Sequence, residues 1–128
     1  MILHLVEFSS EPLHRQITRQ IRAKVLSGSL SEGDPLLSIR GLAREHRVSV
    51  ITVQRAYEEL EREGLVHSRR GKGFFVAGLD EKQKLTMAVD GFRRNLAPGI
   101  SEALAGGLSP EEILGVVQEI LGKKGESQ

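Results

Sequence analysis

SIRGLAREHRVSVITVQRAYEELEREGLVHSRRGKGFFV, residues 38–76, changes hydrophobic period twice, and those changes decide the fold. Ser38 precedes Ile39, Leu42 and Ala43, an inward stripe for a short helix. The polar turn His46-Arg47-Val48-Ser49 follows, and Ser49 stands where it can cap a second helix. Val53, Ala56, Tyr57 and Leu60 give that helix a core face. Glu58 and Arg62 form a favourable i,i+4 pair, and Gly64 is placed to stop the helix in a left-handed conformation. The period then becomes that of strands. Leu65-Val66 and Phe74-Phe75-Val76-Ala77 flank a glycine-containing turn, which predicts a hairpin tipped by Arg69, Arg70 and Lys72.

Two helices joined by a tight turn form a helix-turn-helix, whose second helix enters the major groove of DNA. A basic hairpin directly after it makes the winged variant. Ser49, Thr52, Gln54 and Arg55 supply the free polar face that such a helix needs. Hydroxyls bond base edges or phosphates, glutamine suits adenine, and arginine suits guanine or phosphate.

Upstream, residues 1–8 read as a short arm and Ser9-Ser10-Glu11-Pro12 as a helix start, with a hydroxyl cap and proline in the first turn. Leu13, Ile17, Ile21 and Val25 form the buried face of that helix, with Leu26 beside it. Arg15, Arg19, Arg22 and Lys24 fall mostly off the face, Ser27-Gly28-Ser29 ends the helix, and Ser31 to Pro35 is a loop. Downstream, Asp80 to about Ala105 is helical, with a kink or break expected at Pro98-Gly99 and an end at Gly106-Gly107. Ser109-Pro110-Glu111-Glu112 opens a last amphipathic helix, and Lys123 to Gln128 reads as a polar frayed tail.

Composition narrows the function. The 128 residues are 39% apolar, enough for a core, but only 4% aromatic, so the core is expected to be aliphatic. The absence of cysteine excludes disulfides, thiolate metal sites and a cysteine nucleophile. No apolar run is long enough to span a bilayer, and MILHLVEF lacks the basic start of a secretion signal, so a cytoplasmic protein is expected. The net charge of +1 hides an asymmetry. Residues 1–77 carry 12 Lys/Arg against 9 Asp/Glu, and residues 78–128 carry 6 against 8. Gly71-Lys72-Gly73 lacks the spacing of a nucleotide-binding loop. His4, His14, His46 and His67 have no helical pairing, so no metal or other cofactor is expected. Glu58, Glu59, Glu61 and Glu63 read as an exposed helix face, and no catalytic constellation stands out, so the chain is not expected to be an enzyme.

Residues 38–76, together with PLHRQITRQIRAKVLSGSLSEGDPL at 12–36, resemble the GntR family of bacterial transcription regulators. The resemblance covers roughly residues 10–77. Only about 50 residues follow the wing, as in the short YtrA subfamily, whose two C-terminal helices serve dimerisation. The resemblance implies DNA contacts from Ser38 and Arg40, from the start of the recognition helix (Ser49, Val50, Ile51, Thr52 and Gln54, with Arg55 following), and from Gly71 with Arg70 and Lys72. Arg15, Arg69, Arg70 and Lys72 are the expected phosphate contacts. Val50 and Gln54 stand where some members carry arginine. Val50 cannot read guanine but can touch a thymine methyl, so a different operator is expected. Partial burial competes with contact at both Val50 and Ile51, and of the two only Val50 is kept as an expected contact.

The expected architecture is mostly α with a small β-hairpin. Residues 1–77 form the winged helix-turn-helix and 78–128 a helical dimerisation region. Leu85, Val89, Phe92, Leu96, Ile100, Leu104, Ile113, Leu114, Val117 and Leu121 are too many apolar residues for one small contact, and a shared homodimer core accounts for them. The expected function is that of a homodimeric repressor on a palindromic duplex operator, without a membrane partner. The alternatives are a winged-helix protein–protein adaptor, and a regulator sensing a small ligand or metal at the C-terminal helices. No residue pattern names an effector.

Overall fold

The computed structural model describes residues 1–126. The elements run α1 (Leu13–Leu26), α2 (Ile39–His46), α3 (Val50–Arg62), β1 (Val66–Arg69), β2 (Gly73–Val76), α4 (Glu81–Ala105) and α5 (Pro110–Glu126). They fall into two compact units, Met1–Leu85 and Thr86–Gln128. The first runs beyond the end of β2 to take in the first turn of α4.

In the first unit, α1 and α2 both pack on α3, and α3 packs on β1. Ile17, Ile21 and Val25 meet Leu42, Ala43, Val53, Ala56, Tyr57 and Leu60 in a core closed by Leu65, Val66 and Val76. This is the aliphatic interior expected of an aromatic-poor chain. Tyr57 is its one fully buried aromatic. The Tyr57 hydroxyl donates to the Leu37 carbonyl at 2.8 Å, so its polar end is satisfied. Burial raises the pKa of this phenol well above its ordinary value. Phe74 meets the Tyr57 ring edge-on, at 5.1 Å between centroids.

Local sequence explains most element ends. Ser49 Oγ accepts the Thr52 amide at 3.0 Å and caps α3. Gly64, at φ +80°, ends the same helix. The start of α1 differs from expectation. Pro12 occupies the capping position with no side-chain hydrogen bond, and Ser9 Oγ instead accepts the Glu11 amide. Proline's fixed φ lets the chain enter the helix without a hydroxyl.

The arm is tied down by two glutamines of α1. Gln20 accepts the His4 N–H through Oε1 and donates to the His4 carbonyl, and Gln16 does the same for Val6. Gln16 also donates to the Glu11 carbonyl, and Leu3 is carried into the core.

The hairpin is antiparallel, with Val66 opposite Val76 and Arg69 opposite Gly73. The loop before α2 adds a partial third strand. The Gly33 amide donates to the Val76 carbonyl, Val76 to Asp34, and Leu36 to Phe74, each at 2.9 Å.

In the second unit, Ser109 and Glu112 form a reciprocal capping box. The Glu112 amide donates to Ser109 Oγ and the Ser109 amide to Glu112 Oε1. Gly107, at φ +98°, closes α4, with the Leu108 amide bonded back to Ala103. Of the kink or break expected at Pro98-Gly99, the break does not occur, and α4 is continuous through Pro98. Both residues are exposed, so water can serve the carbonyl that the proline ring leaves without a donor. Helix α5 extends to Glu126, into the segment read as a tail, and residues 127–128 lie outside the described residues. No residue of α4 is buried. Leu85, Val89, Phe92, Leu96, Leu104, Leu114 and Leu121 are exposed, while Ile100, Ile113 and Val117 are half-buried.

Candidate DNA interface

The α2–turn–α3 segment is built by local bonds. Ser38 Oγ accepts the Gly41 amide at 2.9 Å, capping α2 and leaving Arg40 exposed in its first turn. Arg47 takes a left-handed conformation at φ +55°, uncommon without glycine, and the Val48 amide bonds back to Ala43. This reversal turns the chain into α3. With Val53, Ala56, Tyr57 and Leu60 buried, the opposite face of α3 presents Ile51, Gln54, Arg55 and Glu58, all exposed. Gln54 Nε2 donates to Glu58 Oε1 at 3.1 Å, and among the described residues the expected Glu58–Arg62 ion pair does not form.

The wing is held against α3 from its inner end. Ser68 donates both its amide and its hydroxyl to Glu61 Oε2, each at 2.8 Å. Those two bonds, the hydroxyl's first, hold the Glu61 carboxyl below the usual carboxylate range. On the outer face the Arg69 guanidinium lies 4.8 Å from the centroid of Phe75, and His67 stacks on the same ring. The aromatic surface thus fixes the direction of an arginine that would otherwise sample many rotamers. The tip, Arg70-Gly71-Lys72, is a turn closed by the Lys72 amide on the Arg69 carbonyl at 2.9 Å. Gly71 supplies the positive φ, +75°, that this turn needs.

Two arginines of α1 are held in ion pairs. Arg19 makes three hydrogen bonds to Glu11, and Arg22 makes two to Glu63 that join α1 to the end of α3. Among the described residues, Arg40, Arg55, Arg69, Arg70 and Lys72 enter no ion pair. All five are exposed on the first unit. Burial lowers the pKa of His14, and the charge of Arg55 lowers it further.

Of the residues expected at the interface, Ser38, Arg40, Ser49, Val50, Gln54, Arg55, Arg69, Arg70, Gly71 and Lys72 are exposed, and Thr52 is half-buried. The acidic cluster departs from expectation. Glu61 and Glu63 are clamps between elements, not a merely solvated face. Phe75 was missed as well. The period-2 alternation of His67, Arg69 and the facing strand was the available signal for it.

A capped recognition helix, a basic wing and unpaired arginines on one compact unit define a winged-helix DNA-binding protein. The family described as "Bacterial regulatory proteins, gntR family" matches residues 13–76, and the chain belongs to that family. It is 39% identical over 112 residues to the uncharacterized HTH-type transcriptional regulator YhcF of Bacillus subtilis, covering 83% of this chain and 87% of the relative. It is 34% identical over 116 residues to the HTH-type transcriptional repressor YtrA of the same organism, covering 88% and 86%. A GntR family transcriptional regulator from Listeria monocytogenes matches with a TM-score of 0.74 and 32% identity, over 87% of this chain and 96% of that one. The protein is therefore a DNA-binding transcription regulator, and its relatives are regulators, not enzymes.

Proposed function

We propose that the protein acts as a homodimeric repressor on a palindromic operator. Residues 1–77 read the DNA and residues 78–128 join the two copies. The observation that carries this reading is the uncovered apolar surface of the C-terminal helices. Phe92 is 64% exposed and Leu121 66%, and Leu108, Val116 and Ile120 add to the expected set. So many exposed large apolar side chains on two consecutive helices support an interaction surface. A second copy covers it symmetrically, since a two-fold interface pairs the same residues on both chains. Two recognition helices then meet half-sites about one helical turn, ~34 Å, apart. The similarity to a repressor, YtrA, supports the direction of regulation.

Sedimentation at micromolar concentration is expected to give a dimer. Phe92→Asp with Leu121→Asp is expected to give a folded monomer that binds operator weakly. A wild-type monomer, or equal affinity for one half-site and for two, removes the proposal. A reporter placed behind the operator is expected to fall when the protein is present, and a rise refutes repression.

A further inference from the structure

Ile51 is 77% exposed and Val50, beside it, 43%. Successive residues turn about 100° around a helix axis, which places Ile51 almost opposite the stripe of Val53, Ala56, Tyr57 and Leu60. It shares its arc with Gln54, Arg55 and Glu58. A branched hydrocarbon there contributes little to the core and meets water in the free protein.

Its polar neighbours are largely engaged with one another. Ser49 Oγ accepts the Thr52 amide and lies 2.7 Å from Thr52 Oγ1, so one of the two hydroxyl hydrogens is held between them. Only one remains to offer a ligand. Gln54 is held by Glu58 through one amide hydrogen. The first turn of α3 therefore presents hydrocarbon at its centre, flanked by the unpaired charge of Arg55. In the major groove the apolar group available to such a surface is the C5 methyl of thymine.

We propose that Ile51, with Val50 at its flank, reads thymine C5 methyl groups in each operator half-site, and is a specificity-determining residue of the interface. The proposal rests on the DNA-regulator reading above and adds the chemistry that the helix start selects. It assigns Ser49 and Thr52 first to the cap that sets the angle of this turn, with one hydroxyl hydrogen between them left for DNA.

The test uses full-length protein and duplexes that it selects from a random pool. Each thymine of a selected duplex is replaced singly by deoxyuridine, which deletes only the C5 methyl. At one or two positions per half-site the wild type is expected to bind about fourfold more weakly, the effect of one buried methyl. Ile51→Ala is expected to lose a similar factor on thymine DNA and to show no further loss on uracil at the same position. Its thermal unfolding is expected to match the wild type, since Ile51 is not part of the core. Insensitivity at every thymine overturns the proposal. So does an equal uracil effect in wild type and Ile51→Ala, which assigns the methyl to DNA shape or to another residue. Coupling to Val50→Ala alone overturns the role of Ile51. A pool that yields no selected sequence fails the underlying reading as well, and is distinguished by that absence.

Discussion

Removing one positive charge is expected to have two different consequences, depending on where that charge sits. Lys72 is exposed at the wing tip and enters no ion pair among the described residues, whereas Arg19 is bound to Glu11 by three hydrogen bonds. Each phosphate neutralised on duplex DNA contributes about 0.9 to the slope of log K against log salt. Lys72→Ala is expected to flatten that slope by about 0.9 per bound protomer, or about 1.8 for a symmetric dimer. A fourfold rise in salt weakens binding by about 3.5-fold per phosphate contact, so the variant and wild type converge as salt rises. Arg19→Ala removes the same formal charge but frees Glu11 and leaves the wing untouched, so its slope is expected to match the wild type. The assay is fluorescence anisotropy on a labelled operator across a salt series, with thermal unfolding as the folding control. Equal slope changes in the two variants would refute the reasoning, because net charge and not its placement would then govern binding. No change in Lys72→Ala would remove the wing tip from the interface.

Tyr57→Phe keeps the ring and its contact with Phe74 but leaves the Leu37 carbonyl without its donor. A loss of about 1 kcal/mol in denaturant unfolding is expected. Leu60→Ala opens a cavity at a fully buried site and is expected to cost about 2–5 kcal/mol by the same assay. Glu61 has a lowered pKa in the folded protein, so its stabilisation is present above the ordinary carboxylate value and is lost as pH falls through the lower folded value. The difference in melting temperature between wild type and Glu61→Gln is therefore expected to shrink in the acid range. A constant difference would show that the Ser68 bonds do not depend on the charge.

The helices were legible because their signals are local. Ser49, Gly64 and the Ser109–Glu112 box act within one turn of where they stand, and Val53 to Leu60 carry the core period in adjacent residues. The wing was legible for the same reason, and family resemblance marked its tip. What sequence reasoning missed depends on partners far along the chain. Glu63 resembles its neighbours until Arg22 is placed against it. The Gly33–Leu36 loop looks irregular until β2 offers it hydrogen bonds. At the candidate interface, residue type marked the polar candidates, but only burial shows how far Ile51 stands out into solvent. Only the hydrogen bonds show that Ser49 and Thr52 are mutually engaged.

The glutamine-tethered arm has a consequence for how the chain can change. Gln16 and Gln20 hold residues 4 and 6 entirely through main-chain atoms. His4 and Val6 are exposed, so substituting their side chains leaves this attachment intact. The two glutamines have no such latitude, and Gln16 is almost fully buried. Deleting the arm strips a buried amide of its partners at Val6 and uncovers the site filled by Leu3, so a truncation that looks peripheral reaches α1 and the packing beneath it.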